Sequence, residues 1–88
     1  METSNDQLTA AFSQVLRRRR RDAGLTQEQL SERADISTRH ISFLETGRRQ
    51  PTLSVMVALC GGLGVPLAEF AGEVESAWLA TRSTLEAE

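Results

Sequence analysis

Thr26 and Ser37 each begin a helix, and the distance between them leaves room for only one short helix and a turn. In Thr26-Gln27-Glu28-Gln29 the threonine hydroxyl is placed to accept from the Gln29 amide, and the Gln29 side chain can reach back, which is a capping box. Leu25 and Leu30 flank it as a hydrophobic staple. Ser37 starts a second helix, with Ile36 and Ile41 as its staple. The spacing therefore predicts a helix over about Gln27–Ala34, a turn of Asp35-Ile36-Ser37, and a helix over about Thr38–Glu45 that stops at Gly47.

The rest of the chain also reads as helix. Over residues 5–23, Leu8, Phe12, Val15, Leu16 and Ala23 share one helical face, and Gly24 follows as a stop. Thr52 caps a fourth helix with Leu53, Met56, Leu59, Cys60 and Leu63 turned inward, ended by Gly64. Gly61 and Gly62 inside it mean either close packing or a frayed last turn. Pro66 suits the first turn of a fifth helix containing Leu67 and Phe70. Beyond Gly72, the positions Val74, Trp78, Thr81 and Leu85 form a stripe along residues 73–88. No strand pattern or internal repeat appears, so the expected class is all-α. The 88 residues divide into a polar N-terminal segment (1–7), a five-helix domain (8–72) and a C-terminal amphipathic helical segment (73–88).

Charge is the quantity whose average misleads. The net charge of −2 argues against an anionic partner, but it is segregated. Nine arginines face five acids between Leu8 and Pro51, whereas residues 52–88 hold five glutamates and Arg82 alone. The basic part is a compact segment rather than a tail. The five arginines 17–21 cannot share one helix face at about 100° per residue, so most of them read as a solvated surface. A membrane-binding basic helix is disfavoured because the apolar face of that helix is needed for the core.

Other classes are excluded more directly. One cysteine (Cys60) and one histidine (His40) cannot make a disulfide or a zinc site. With no tyrosine and no glycine-rich phosphate loop, an enzyme is not expected. The polar start METSNDQ lacks a hydrophobic signal region, and no apolar run is long enough to span a bilayer. The expectation is a cytoplasmic, nucleoid-associated protein without cofactor, membrane partner or small-molecule ligand.

A capped helix, a three-residue turn and a second capped helix form a helix-turn-helix arrangement, whose second helix can lie in a DNA major groove. At this point the stretch GLTQEQLSERADISTRHISFLETGRRQPTLSVMVALCGGLGVPL strongly resembles the phage-repressor/Cro-like (XRE-type) helix-turn-helix family of transcriptional regulators. The likeness covers roughly residues 8–71, and its markers are Arg20, Gly24-Leu25-Thr26-Gln27, Leu30, Ile36-Ser37, Ile41-Ser42, Glu45, Gly47, Pro51 and Leu63-Gly64-Val65. It implies a lambda-repressor-like five-helix domain and double-stranded DNA as partner. The turn position held here by Asp35 is usually glycine in this family, because its φ tends to be positive; aspartate tolerates that region better than most residues.

The resemblance implies that Thr38, Arg39, Ser42 and Phe43 face base edges. Among them Arg39 is the best specificity determinant, since it can donate twice to guanine. Thr38 and Ser42 can bond either phosphate or base. Phe43 departs from the usual polar residue and reads either as a contact to a thymine methyl or as peripheral core. Gln27, Thr46, Arg48 and Arg49 are the expected phosphate contacts, and Arg20 with Glu45 the expected structural ion pair. Leu67, Phe70, Val74, Trp78 and Leu85 are expected at a homodimer interface, with a helix folded back onto its own domain as the alternative. The resulting function is a sequence-specific regulator, a repressor or autoregulator, binding a palindromic operator as a homodimer. The alternative is an antitoxin or restriction–modification controller whose C-terminal segment contacts other proteins.

Overall fold

The computed structural model describes the backbone of residues 3–87 and the side chains of residues 5–82. Five helices follow one another: α1 (Thr3–Asp22), α2 (Gln27–Ala34), α3 (Thr38–Glu45), α4 (Leu53–Leu63) and α5 (Leu67–Ala87). Among the described residues there is no strand.

The caps form as their residue types dictate. Thr26 Oγ1 accepts from the Gln29 amide at 3.0 Å while Gln29 Oε1 accepts from the Thr26 amide at 2.9 Å. Ser37 Oγ accepts from the His40 amide and Thr52 Oγ1 from the Val55 amide. Asp35 closes α2 in the left-handed region with φ 58°, its amide donating to the Ser31 carbonyl. That one positive-φ residue lets α2 and α3 meet within a three-residue turn.

Each helix contributes to a single core. Phe12, Val15 and Leu16 of α1, Leu30 of α2, Ile41 and Leu44 of α3, Leu59 and Cys60 of α4 and Phe70 of α5 are all buried. Phe12 and Phe70 meet edge to face, with ring centroids 5.9 Å apart at 70°, an arrangement that suits the aromatic quadrupole. Burial pushes the Cys60 thiol up from its ordinary value, which makes it an inert apolar filler.

Three features differ from the sequence-based expectation. Helix α1 begins at Thr3, so residues 3–7 continue the first helix and do not form a separate segment. Helix α5 runs unbroken through Gly72. The glycine faces open space and costs only about 1 kcal/mol in a helix interior, while Phe70 and Val74 on either side hold the helix on the core. Leu53 is 69% exposed, not inward. The buried arc of α4 centres on Leu59, and six residues of helical rotation carry Leu53 about a third of a turn away from it.

Part of the arginine run is likewise not a solvated surface. Arg19 donates to Glu73 through Nε at 3.0 Å and to Glu69 through Nη2 at 2.5 Å, and Arg18 reaches Glu73 at 3.2 Å. The two glutamates lie one turn apart on α5, so α1 and α5 are clasped along their packed edge. The Arg19 guanidinium holds the Glu73 carboxyl below the usual carboxylate range.

Gly61 and Gly62 have different roles. A Cβ on Gly62 would sit 3.1 Å from Leu30 Cδ1 and 3.2 Å from the Ala34 backbone nitrogen, whereas one on Gly61 would meet nothing. The backbones of α2 and α4 therefore approach closely at Gly62 and not at Gly61. We expect Gly61→Ala to raise stability by about 0.5–1 kcal/mol through its helix propensity. Gly62→Ala should lower it by about 1–3 kcal/mol through overpacking. Urea unfolding followed by circular dichroism checks both, and equal effects would contradict the assignment.

Candidate nucleic-acid interface

Helix α3 is held from one side and free on the other. Ile41 and Leu44 are completely buried, and Ile36 packs beside them. On the opposite face Arg39 and Thr46 are exposed, and Thr38, Ser42 and Phe43 are half-buried. Arg48, Arg49 and Gln50, in the loop after α3, are exposed as well.

The end of α3 is tied down by charge. Glu45 is only 2% exposed, and its carboxylate accepts from Arg20 Nε at 2.6 Å and Arg20 Nη2 at 3.0 Å. Gln27 Nε2 donates to the same carboxylate at 3.0 Å. Arg20 Nη1 also donates to the Leu25 carbonyl at 2.9 Å. One arginine thus links α1, the loop before α2 and α3. Hydrogen bonding to Glu45 raises the Arg20 pKa further above its ordinary value, so the cation persists at any relevant pH. Two more α1 side chains reach the same place: Ser13 Oγ donates to the Leu44 carbonyl at 2.6 Å, and Arg17 Nη1 donates to the Glu45 carbonyl. Sequence reasoning missed Ser13 and Arg17. The available signal was their spacing, since residues 13, 17 and 20 lie on one stripe of a helix.

The expected phosphate contacts separate into two kinds. Arg48 and Arg49 are exposed on the surface. Gln27 instead spends a side-chain N–H on Glu45, because its place in the first turn of α2 lies against the buried carboxylate. The Thr46 hydroxyl donates to the Ser42 carbonyl at 2.9 Å, so its proton satisfies the last turn of its own helix. The Phe43 ring lies among guanidinium groups. The Cζ atoms of Arg39, Arg48 and Arg49 are 5.4, 5.8 and 5.7 Å from its centroid.

The residues expected at a dimer surface are also divided by the fold. Phe70 is fully buried and Val74 nearly so, which removes both from any surface: the turn-by-turn repeat that made a stripe faces α1 of the same chain. Leu67 and Trp78 pack partly against that core, and the Leu85 side chain lies outside the described residues. The large apolar side chains left exposed are Leu8, Leu53, Val57 and Leu79. Among the described residues no cluster of His, Cys, Asp or Glu could hold a metal ion, and no single helix is long and apolar enough to cross a membrane.

A short, outward-facing second helix followed by an arginine-bearing loop, on a body of five helices with no strand among the described residues, defines a lambda-repressor-like DNA-binding domain. The chain belongs to the helix-turn-helix family, matching it over residues 16–70, and is a regulator of the phage-repressor/Cro-like (XRE) type. It is 38% identical over 65 residues to an uncharacterised helix-turn-helix-type transcriptional regulator of Sinorhizobium fredii, covering 74% of this chain and 84% of that one. It is also 37% identical over 54 residues to the immunity repressor protein of Bacillus phage phi105, covering 61% of this chain but only 38% of the phage protein. Among solved structures, the clp gene regulator ClgR from Corynebacterium glutamicum superposes with a TM-score of 0.81 at 26% identity, over 91% of this chain and 85% of that one. The restriction–modification controller protein C.Esp1396I, as a tetramer in complex with its natural 35 base-pair operator, gives a TM-score of 0.77 at 26% identity, over 82% and 95%.

The Glu45 carboxylate makes a stability prediction. Glu45→Ala leaves Arg20 and Gln27 without their acceptor, and breaking such a pair costs about 3–5 kcal/mol when it is buried. The melting temperature should fall by more than about 10 °C for a domain of this size, whereas Arg39→Ala should leave it unchanged. Thermal denaturation by circular dichroism distinguishes the two, and a Glu45→Ala protein as stable as wild type would remove the ion pair from its structural role.

Proposed function

We propose that the protein represses or autoregulates transcription by binding a palindromic operator as a homodimer, with α3 in the major groove of each half-site. The observation that carries this reading is the outer face of α3 and its following loop, where Arg39, Arg48 and Arg49 lie exposed on one patch. Arg39 donates to the O6 and N7 of a guanine, and Thr38 and Ser42 reach neighbouring bases or phosphates. Arg48 and Arg49 neutralise backbone phosphate and release counterions. Gln27 adds its remaining side-chain N–H and the amides at the start of α2, and Thr46 supports the helix end more than it contacts DNA.

A second copy supplies the other half-site, one helical turn away. With Phe70 and Val74 in the core, the pairing surface falls to apolar groups that stay exposed: Leu53 and Val57, one turn apart on α4 and 69% and 52% exposed, and Leu79 on α5. Leu67 and Trp78 lie beside the core and complete it. The likeness to a controller protein over 95% of that chain supports restriction–modification control as the regulatory subtype in second place. A cytoplasmic, nucleoid-bound location follows from this reading.

Selection of bound duplexes from random DNA should recover a palindrome; enrichment of no sequence would end the proposal. On the recovered site, Arg39→Ala should lose about 1–3 kcal/mol of discrimination at one base of each half-site. Arg48→Ala should weaken specific and random DNA alike and reduce the salt slope by about 1. These are read from binding isotherms at several ionic strengths. For assembly, sedimentation equilibrium of Val57→Glu should show monomers with an unchanged far-ultraviolet spectrum; a dimer as tight as wild type would place the interface elsewhere.

A further inference from the structure

Arginines 18, 19 and 20 each have a carboxylate partner within the fold. Among the described residues, no carboxylate pairs with Arg39, Arg48 or Arg49, although the chain holds twelve acids. What these three share is the ring of Phe43, with their Cζ atoms between 5.4 and 5.8 Å from its centroid. That is within the range over which an aromatic face attracts a cation. Arg39 comes from α3, and Arg48 and Arg49 come from the loop beyond it, so the ring gathers charges from both sides of the helix end.

Two consequences follow. A benzene ring has two faces, so three guanidinium groups around it must bring at least two like charges to one side. That crowding is relieved by an anion. Ser37, Arg39, His40, Phe43 and Arg49 also line a shallow depression beside the ring, with no carboxylate among them. Without the ring, three long side chains would disperse, and ordering them again on binding costs rotamer entropy.

Resting on the reading that α3 enters DNA, we propose that Phe43 is a positioning residue whose ring preassembles Arg39, Arg48 and Arg49 into one cationic seat for a backbone phosphate next to the base read by Arg39. In this arrangement Phe43 acts through the three guanidinium groups over its ring and not through a thymine methyl. The seat explains why an aromatic side chain stands at a position where a polar one is usual in the resembling family: it acts through its neighbours.

The test compares Phe43→Tyr, which keeps the aromatic face, with Phe43→Leu, which keeps apolar volume without it. Melting curves verify that both fold. In the free protein, the Arg39, Arg48 and Arg49 side-chain proton resonances should be shifted upfield by the ring current in wild type and Phe43→Tyr, and not in Phe43→Leu. On the selected operator, Phe43→Tyr should bind within about twofold of wild type. Phe43→Leu should lose about tenfold, equivalent to about 1.4 kcal/mol, with a shallower salt dependence. Replacing operator thymines by deoxyuridine should change nothing that depends on Phe43. Wild-type affinity and salt slope in Phe43→Leu would overturn the proposal. So would a deoxyuridine penalty that vanishes in that variant, which would make Phe43 a thymine contact. A wild-type protein that shows the ring-current shifts but binds no duplex would instead remove the DNA reading beneath it.

Discussion

A carboxylate at the end of α3 is withdrawn from water, and the rest of the arrangement depends on how that burial is compensated. Isolated, the Glu45 charge would cost several kcal/mol. It is tolerated because Arg20 from α1 offers two donors and Gln27 from α2 a third. All three helices must reach one point for those bonds to form together. The direction of α3 relative to the other two is therefore set by geometry that admits little slack, and Arg17 and Ser13 secure the carbonyls beside it. With its inner face committed in this way, α3 can present only its other face to a duplex.

The same constraint sorts the arginines. Those on α1 that turn toward α3 or α5 find acceptors: Glu45 and its carbonyl on one side, Glu69 and Glu73 on the other. Arg39, Arg48 and Arg49 find no carboxylate and collect around Phe43. A chain with a net charge of −2 thus carries a surface that attracts an anion, because among the described residues no carboxylate pairs with Arg39, Arg48 or Arg49. Three cations without a carboxylate are thereby gathered around one ring, and such a local concentration of positive charge is what electrostatic recognition of a phosphate backbone requires.

How much could be read beforehand depended on the range of the interaction. The Thr26 capping box, the Ser37 and Thr52 caps and the left-handed Asp35 involve residues within one or two turns of each other, and each follows from side-chain chemistry at fixed spacing. The Arg20–Glu45 pair spans 25 residues and was legible only through resemblance to a family. The clasp of Arg18 and Arg19 with Glu73 spans 55 and 54 and was not legible, since nothing in either segment states that α1 and α5 lie side by side. The stripe of Val74, Trp78, Thr81 and Leu85 is visible in the sequence as helical periodicity, but periodicity cannot say which surface covers it. The exposed Leu53 illustrates the converse: an apolar residue near a helical stripe is not necessarily on it.

By itself, the sequence determined where each of α2, α3 and α4 begins, that the fold class is all-α, and that a short helix carrying Arg39 follows a tight turn and leads into Arg48 and Arg49. These are decided by hydrogen bonds and rotamers within a few residues. The tertiary structure alone decided which arginines are neutralised and which remain open, that Gln27 faces Glu45, that Gly62 rather than Gly61 marks a close crossing, and that α5 spends Phe70 and Val74 on its own core. Those outcomes depend on the packing of helices far apart in the chain, where one buried charge or one missing Cβ selects an arrangement that no local spacing encodes.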